Sequence, residues 1–153
     1  MNSFRSGHMA EKTFRIENRT SAIPKLIDDT EAWLKQGGVD HVDSYVVCVA
    51  LDEIVSNIAK YAHTDDKLHL IDVRLSIVRE RVVTEIEDDG VAFDPLQSAE
   101  PDLDISVEDR QIGGLGIHLV KNLMDDVAYR RDGTRNRLTL TKNRAPASTE
   151  AEQ

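Results

Sequence analysis

Residues 68–88, LHLIDVRLSIVRERVVTEIED, contain two runs in which apolar and polar side chains alternate. Alternation is the period of a strand with one buried face, so these runs predict strands over Leu68–Val78 and Arg81–Asp88. Only Arg79 and Glu80 separate the runs, which predicts an antiparallel hairpin, although the Asn-Gly pair typical of such turns is missing. The side chains expected on the buried face are Ile71, Val73, Leu75, Ile77, Val82, Ile86 and Asp88.

The segments on either side of this hairpin predict helices and further strands. Helical spacing of apolar residues predicts helices over Ser21–Gln36, from about Asp40 to about Ala62, and over Ile117–Met124. Alternation predicts strands over Lys12–Glu17, Asp126–Arg131 and Arg137–Lys142. Strands and helices that are segregated along the chain favour an α+β fold: a two-layer sandwich with helices on one face of a mixed, mostly antiparallel sheet.

Composition excludes several classes of protein. The 153 residues carry 19 Lys and Arg against 28 Asp and Glu, a net charge of −9, which disfavours nucleic acid as a partner. The longest apolar run, Tyr45–Leu51, is far too short to span a bilayer. One cysteine, no Cys/His cluster at zinc-ligand spacing and no visible signal peptide predict a cytoplasmic protein without membrane attachment.

The chain length favours a single domain. Residues 1–10 contain the run Ser6-Gly7-His8-Met9, which is typical of an expression scar, so we expect a scar or a disordered N-terminus there. The folded domain is predicted over residues 11–142. Residues 143–153 lack large apolar side chains and are predicted to be a disordered tail.

Three short patterns carry more chemistry than packing requires. The first is Glu53 and Asn57, which lie one turn apart on the second helix, on a face opposite to Leu51, Val55, Ile58 and Ala62. A carboxylate can accept a proton from a hydroxyl group, and an amide oxygen can be a ligand for Mg²⁺. A solvated polar pair on an exposed helix is the simpler alternative.

The second pattern is Asp88 and Gly90, where the second hairpin strand ends. A carboxylate on the core side of a sheet needs a hydrogen-bond donor, and an adenine amine would be one. Gly90 allows the backbone to approach a flat ring closely. An ordinary Asp-Gly turn would explain the same residues.

The third pattern is Gly114, Leu115 and Gly116, placed directly before the third helix. Backbone N–H groups at a glycine-rich helix start can hold phosphate even in an acidic protein. The acidic segment before it, residues 94–111, could act as a lid. A flexible linker and a glycine-rich turn are the alternative.

The order of the three patterns resembles the GHKL superfamily of ATP-binding domains, which implies the Bergerat-type fold. Glu53 and Asn57 match its N box, Asp88 and Gly90 its first glycine box, and Gly114–Gly116 its second. The runs ALDEIVSNIAKYAH (50–63), DDGVAFDP (88–95) and GGLGIHLVKNLMDDVAYRRDGTRNRLTLTK (113–142) are similar to the stand-alone serine-protein kinase branch of anti-sigma factors.

This resemblance implies that ATP and Mg²⁺ bind with Asp88 on adenine, Asn57 on the metal and the Gly114–Gly116 backbone on phosphates. Glu53 would be the general base toward a Ser or Thr hydroxyl of an anti-sigma-factor antagonist. A sigma factor would be the second protein partner. Relatives in this branch often form homodimers through the first strand and helix, here Phe14 to Trp33, although Trp33 and Leu34 at helical spacing could equally be core residues.

Two departures from the family pattern stand out, and three other hypotheses remain open. Asn136 stands where many relatives have a threonine, and Arg110 is the one cation near the acidic segment. The chain could be a non-catalytic, nucleotide-dependent binding module, or an ATP-binding domain cut from a larger sensor kinase. It could also be an α+β domain whose glycines and acids only form turns.

Overall fold

The computed structural model describes residues 8–97 and 114–144 and has five strands and three α-helices in that part of the chain. The strands are β1 (His8–Glu17), β2 (Leu70–Val78), β3 (Arg81–Asp88), β4 (Asp126–Asp132) and β5 (Arg135–Asn143). The helices are α1 (Ile23–Gln36), α2 (His41–Tyr61) and α3 (Gly114–Leu123). Short 3₁₀ turns lie at Thr20–Ala22 and Pro95–Gln97.

The strands form one sheet in the order β1-β2-β3-β5-β4. The predicted hairpin is present, and its two-residue connection places Arg79 at a positive φ of 42°. All four strand pairings are antiparallel, so the described sheet has no parallel pair of the kind that a mixed sheet would contain. The β3–β5 register places Asn136 directly opposite Asp88.

Local chemistry accounts for the ends of α1 and α2. Pro24 lies in the first turn of α1, where its missing N–H costs nothing. Gly38 follows α1 with a φ of 82°, a left-handed conformation that favours glycine. The Asp40 carboxylate caps α2 by accepting a hydrogen bond from the Asp43 N–H at 2.8 Å.

The helices cover one face of the sheet, as the α+β prediction requires. The alternating apolar residues of β2 and β3 are buried and share one core with apolar side chains of all three helices. The opposite face is charged: Glu87 pairs with Arg135 and Arg137, and Asp72 pairs with Arg15 and Arg135. The sheet therefore has an apolar inner face under the helices and a charged outer face.

Both ends of the folded region extend beyond the predicted limits. Strand β1 begins at His8, inside the segment expected to be a scar or disordered, because Ala10 pairs with Ile77 at the sheet edge. Strand β5 includes Asn143, whose N–H donates to the Asp125 carboxylate at 2.6 Å. The rest of the predicted tail, residues 145–153, lies outside the described residues.

Among the described residues, no helix combines the length and the apolar character needed to cross a bilayer.

Candidate functional site

A cavity of about 450 Å³ lies between α2 and the inner face of β3 and β5. This volume is in the range of small-molecule sites. Its wall is largely apolar, with Asn57, Asp88 and Asn136 as its amide and carboxylate groups. The apolar lining includes Ile54, Ile58, Ile86, Ile117 and Leu138, while Tyr61 and Phe93 are about half exposed. Two of the predicted site residues, Asn57 and Asp88, thus face one cavity.

Asp88 is buried at one end of this cavity, which we call the Asp88 end. Its side chain lies on the core face of β3, as predicted, and the residue is 4% exposed. The Oδ2 atom accepts hydrogen bonds from the Gly90 N–H at 2.7 Å and from Asn136 Nδ2 at 3.2 Å. Because both donors are on Oδ2, Oδ1 is available to a donor in the cavity.

Asn136 connects this carboxylate to the neighbouring hairpin. Its Oδ1 accepts from the Tyr129 hydroxyl at 2.5 Å and from Arg131 at 3.1 Å, which fixes the amide with Nδ2 toward Asp88. The same Nδ2 lies 2.9 Å from the carbonyl of Val91, and Arg131 donates to the Gly90 carbonyl at 2.8 Å. The sequence marked Asn136 as a departure, whereas the structure makes it the centre of the hydrogen bonds around Asp88.

Gly90 is required by close packing at this end. A Cβ there would lie 2.5 Å from the Ala62 Cβ and 2.6 Å from its carbonyl oxygen. The Val91 N–H also donates to that carbonyl at 3.0 Å. The end of α2 is therefore joined tightly to the segment after β3, and the close backbone approach expected of Gly90 is made to α2.

Glu53 lies outside the lining of this cavity, where α2 meets α3, and we call this region the Glu53 end. Its carboxylate is so close to Gly116 that a Cβ on this glycine would overlap Glu53 Oε1. Neither Glu53 nor Asn57 makes a side-chain hydrogen bond or ion pair to another described residue. A proton acceptor is thus available beside the start of α3, and an amide faces the cavity one turn further along α2.

The structure corrects two details of the predicted Glu53 end. The glycines are not a loop before the helix: α3 begins at Gly114, so Gly114, Leu115 and Gly116 form its first turn. Backbone N–H groups of a first turn lack partners within the helix, which leaves them free for an anion. The apolar stripe of α2 was also assigned too simply, because Ile58 and Ala62 line the same cavity as Asn57. The predicted lid lies largely outside the described residues, as does Arg110.

A group of four side chains that the sequence did not connect lies next to the Asp88 end. His63 Nε2 lies 2.7 Å from Asp89 Oδ1, and His69 Nδ1 lies 3.2 Å from the same oxygen. His69 Nε2 also lies 2.9 Å from Asp65. The hydrogen bond with His63 lowers the pKa of Asp89, and the hydrogen bond to Asp65 raises the pKa of His69. We call these four residues the histidine cluster.

Comparison with known proteins places this geometry in a family. The chain matches the model of the histidine kinase-like ATPase domain over residues 16–142. The serine/threonine-protein kinase BtrW of Bordetella bronchiseptica is 36% identical over 104 residues, covering 68% of this chain and 73% of the relative. The serine-protein kinase RsbW of Staphylococcus aureus is 26% identical over 144 residues, covering 88% of this chain and 89% of the relative.

Solved structures share the fold. The crystal structure of the RsbU and RsbW domains of a Mycobacterium tuberculosis protein covers 91% of this chain with a TM-score of 0.63 and 16% identity. This chain corresponds to 34% of that one, about a third of its length. The histidine kinase domain of a blue-light activated histidine kinase from Erythrobacter litoralis matches with a TM-score of 0.53 and 15% identity. The match covers 85% of this chain and 63% of the Erythrobacter chain. With the family model matched from β1 to β5, the chain belongs to the histidine kinase-like ATPase domain family.

Proposed function

We propose that this protein is an ATP-dependent serine/threonine protein kinase that acts as an anti-sigma factor and phosphorylates an anti-sigma-factor antagonist. The observation that carries the proposal is the Glu53 carboxylate, packed against Gly116 in the first turn of α3 and without a partner among the described residues. The similarity of the chain to proteins named as serine or serine/threonine protein kinases supports the same reaction.

The Asp88 end is suited to the base of ATP. Asp88 Oδ1 would accept from the adenine amine, because Oδ2 is already used by Gly90 and Asn136. The apolar walls contributed by Ile54 and Ile86 would bury the ring faces. An acidic protein thus gains affinity for a nucleotide from burial and from one oriented carboxylate.

The Glu53 end is suited to the phosphates. The first-turn N–H groups of Gly114, Leu115 and Gly116 would hold phosphate oxygens. The Asn57 amide faces the cavity without a described partner, so its oxygen fits a Mg²⁺ ion that also takes phosphate oxygens. When bound, the ion would neutralise charge on the phosphates.

In the proposed reaction Glu53 acts on the hydroxyl group of the protein substrate. The carboxylate accepts the proton of a Ser or Thr hydroxyl while the hydroxyl oxygen bonds to the γ-phosphorus. The bond from that phosphorus to the β,γ-bridging oxygen breaks, and ADP leaves. Phosphorylation adds negative charge to the antagonist and would release it, so the kinase would then bind a sigma factor instead.

Glu53→Gln tests the catalytic part of the proposal. We expect transfer to the antagonist to fall about 10²–10⁴-fold, because the amide cannot accept the proton. Affinity for ATP should change little, because in this proposal Glu53 acts on the substrate hydroxyl and is not one of the groups that hold ATP. The measurement is mass spectrometry of a candidate antagonist incubated with kinase, ATP and Mg²⁺.

Glu80→Gln on the exposed β2–β3 turn is the matched control and should transfer like the wild type. Equal rates for Glu53→Gln and wild type would remove Glu53 as the base. A wild-type protein that binds ATP but transfers no phosphate would be a non-catalytic binding module instead.

We also propose that the chain forms a homodimer through β1 and α1. Strand β1 is at one edge of the sheet, where its outer backbone groups are open to a second strand. Phe14 and Trp33 are partly buried against the core. Sedimentation equilibrium should give twice the mass of one chain, and a monomer at all concentrations tested would contradict this.

A further inference from the structure

The histidine cluster has the donor set of a metal site. His63 follows α2, His69 precedes β2 and Asp89 follows β3, yet one ligand atom from each lies within 4.8 Å of the other two. We propose that His63, His69 and Asp89 bind a divalent transition-metal ion of the Zn²⁺ class. This site is separate from the Mg²⁺ expected at Asn57 and does not depend on the proposed kinase activity.

The distances between the donor atoms suit tetrahedral coordination. With metal–ligand bonds of about 2.0–2.1 Å, neighbouring donors lie roughly 3.3 Å apart. The structure places His69 Nδ1 3.2 Å and His63 Nε2 2.7 Å from Asp89 Oδ1. Because the two rings stack at an angle of 15°, at least one ring has to turn before both nitrogens can point at one ion.

Asp65 supplies outer support for one of the two histidines, His69, whereas the buried Nδ1 of His63 has no hydrogen-bond partner among the described residues. It lies 2.9 Å from His69 Nε2, so His69 can donate this N–H to Asp65 while Nδ1 faces the other ligands. A carboxylate in this position fixes the tautomer and the orientation of the ring. The His69 backbone N–H is held as well, by the Asn18 side chain at 3.0 Å.

Burial and donor type identify the class of ion. The side chains of His63 and His69 are 8% and 18% exposed, and their rings stack with centroids 3.6 Å apart. Asp89 is 41% exposed, which leaves an open side for water as a fourth ligand. Two imidazole nitrogens and one carboxylate suit Zn²⁺, Co²⁺ or Ni²⁺, whereas Ca²⁺ and Mg²⁺ prefer oxygen ligands.

The position of the cluster gives the ion a structural consequence. Asp89 directly follows Asp88, and His63 directly follows Ala62, whose carbonyl accepts the Val91 N–H. An ion on His63 and Asp89 would therefore clamp the end of α2 to the segment that borders the Asp88 end. Ligand binding to the folded state alone raises its thermal midpoint.

The test is calorimetric titration of the full chain with Zn²⁺ at pH 7.5 without nucleotide, together with the visible spectrum of bound Co²⁺. We expect one ion per chain, a four-coordinate Co²⁺ spectrum and a higher thermal midpoint. His69→Gln should lose the binding. Asp65→Asn, which keeps all three ligands, should weaken it about 10–100-fold.

Two controls make the result specific. Asp66→Asn, the neighbouring exposed carboxylate, and His41→Gln, an exposed histidine at the start of α2, should both bind like the wild type. Absence of stoichiometric binding in the wild type would overturn the proposal and leave the cluster as a hydrogen-bonded clasp. Equal affinity in wild type, His69→Gln and Asp65→Asn would overturn it as well, because the ion would then bind elsewhere.

Discussion

The Asp88 end and the Glu53 end of the site are built in opposite ways. Asp88 is 4% exposed, and its surroundings are cross-linked by hydrogen bonds from Gly90, Asn136, Tyr129 and Arg131. Glu53 and Asn57 are partly exposed and have no described side-chain partner. At the Asp88 end one carboxylate oxygen, Oδ2, is already held by two donors and only Oδ1 is available, while the Glu53 end keeps its polar groups free.

This difference teaches how one cavity could serve both recognition and reaction. A buried carboxylate is costly unless donors hold it, so the Asp88 end needs rigid neighbours and can select a base by shape. A general base has to reach a proton that arrives on another protein, so it must keep its lone pairs available. Variants at the Asp88 end should therefore change binding and stability, and variants at the Glu53 end should change the reaction.

Among the variants that leave Glu53 itself in place, Gly116→Ala should have the largest effect, and this effect should be a slower reaction. The new Cβ would overlap the Glu53 carboxylate, which is the flexible end of its side chain, so the fold should survive while the carboxylate moves. A misplaced catalytic group of this kind costs about 10²-fold in rate. Phosphoryl transfer should fall by that factor with little change in thermal midpoint; a normal rate would mean that the contact with Glu53 has no role.

Asp88→Asn should have the next largest effect, and this effect should be weaker nucleotide binding. Losing a hydrogen bond to a charged group costs about 1.5–3 kcal/mol, so affinity for ADP should drop roughly 10–150-fold by calorimetry. Asp126→Asn, an exposed carboxyl variant on β4, is the control and should bind ADP normally. An unchanged affinity in Asp88→Asn would contradict the placement of adenine.

Asn136→Ala should have a smaller effect on affinity, about tenfold, and should also reduce stability. Removing the amide takes one of two hydrogen bonds from Asp88 Oδ2 and removes the acceptor shared by Tyr129 and Arg131, which costs about 1–3 kcal/mol of the free energy of unfolding. Urea unfolding and ADP titration measure the two effects. Thr139→Ala, on the outer face of the same strand, should change neither; equal behaviour of the two variants would show that the network does not brace the site.

Glu87→Gln should have the smallest effect, because Glu87 supports β3 from the outer face. Partial burial acts to raise the pKa of Glu87, but hydrogen bonds from Arg137 and Arg135 outweigh it and hold the pKa below its ordinary value. A carboxyl group with a lowered pKa in the folded state stabilises the protein at pH values above its unfolded-state pKa, which is about 4.3. This stabilisation is lost as the pH falls through the folded-state pKa. At pH 7 the free energy of unfolding of the wild type should exceed that of the variant by about 1 kcal/mol or less.

Urea unfolding at pH 7 and in acid tests this sign. The difference between wild type and Glu87→Gln should shrink as the pH falls, whereas Glu80→Gln should match the wild type throughout. A difference that grows in acid would mean that the arginines do not set the ionisation of Glu87.

Much of the fold could be predicted from the sequence because its periods are clean. Alternation in residues 68–88 predicted both strands, their hairpin and the inward direction of Asp88. The predicted limits of β1 and α3 were wrong by a few residues. Pairing with β2 extends β1 into a polar segment, and packing against α2 accompanies a start of α3 within a glycine-rich segment. The predicted separation of apolar and polar faces on α2 was partly wrong, because apolar and polar side chains of this helix line the same cavity.

By itself the sequence determined the local helices and strands and which face of each element a residue occupies. Both follow from the spacing of apolar and polar residues that are neighbours in the chain. Tertiary structure alone decided which side chains meet. Asp88 and Asn136 are 48 positions apart, and His63 and Asp89 are 26 apart. Such contacts depend on strand register and on how α2 crosses the sheet, and no spacing within one segment encodes either.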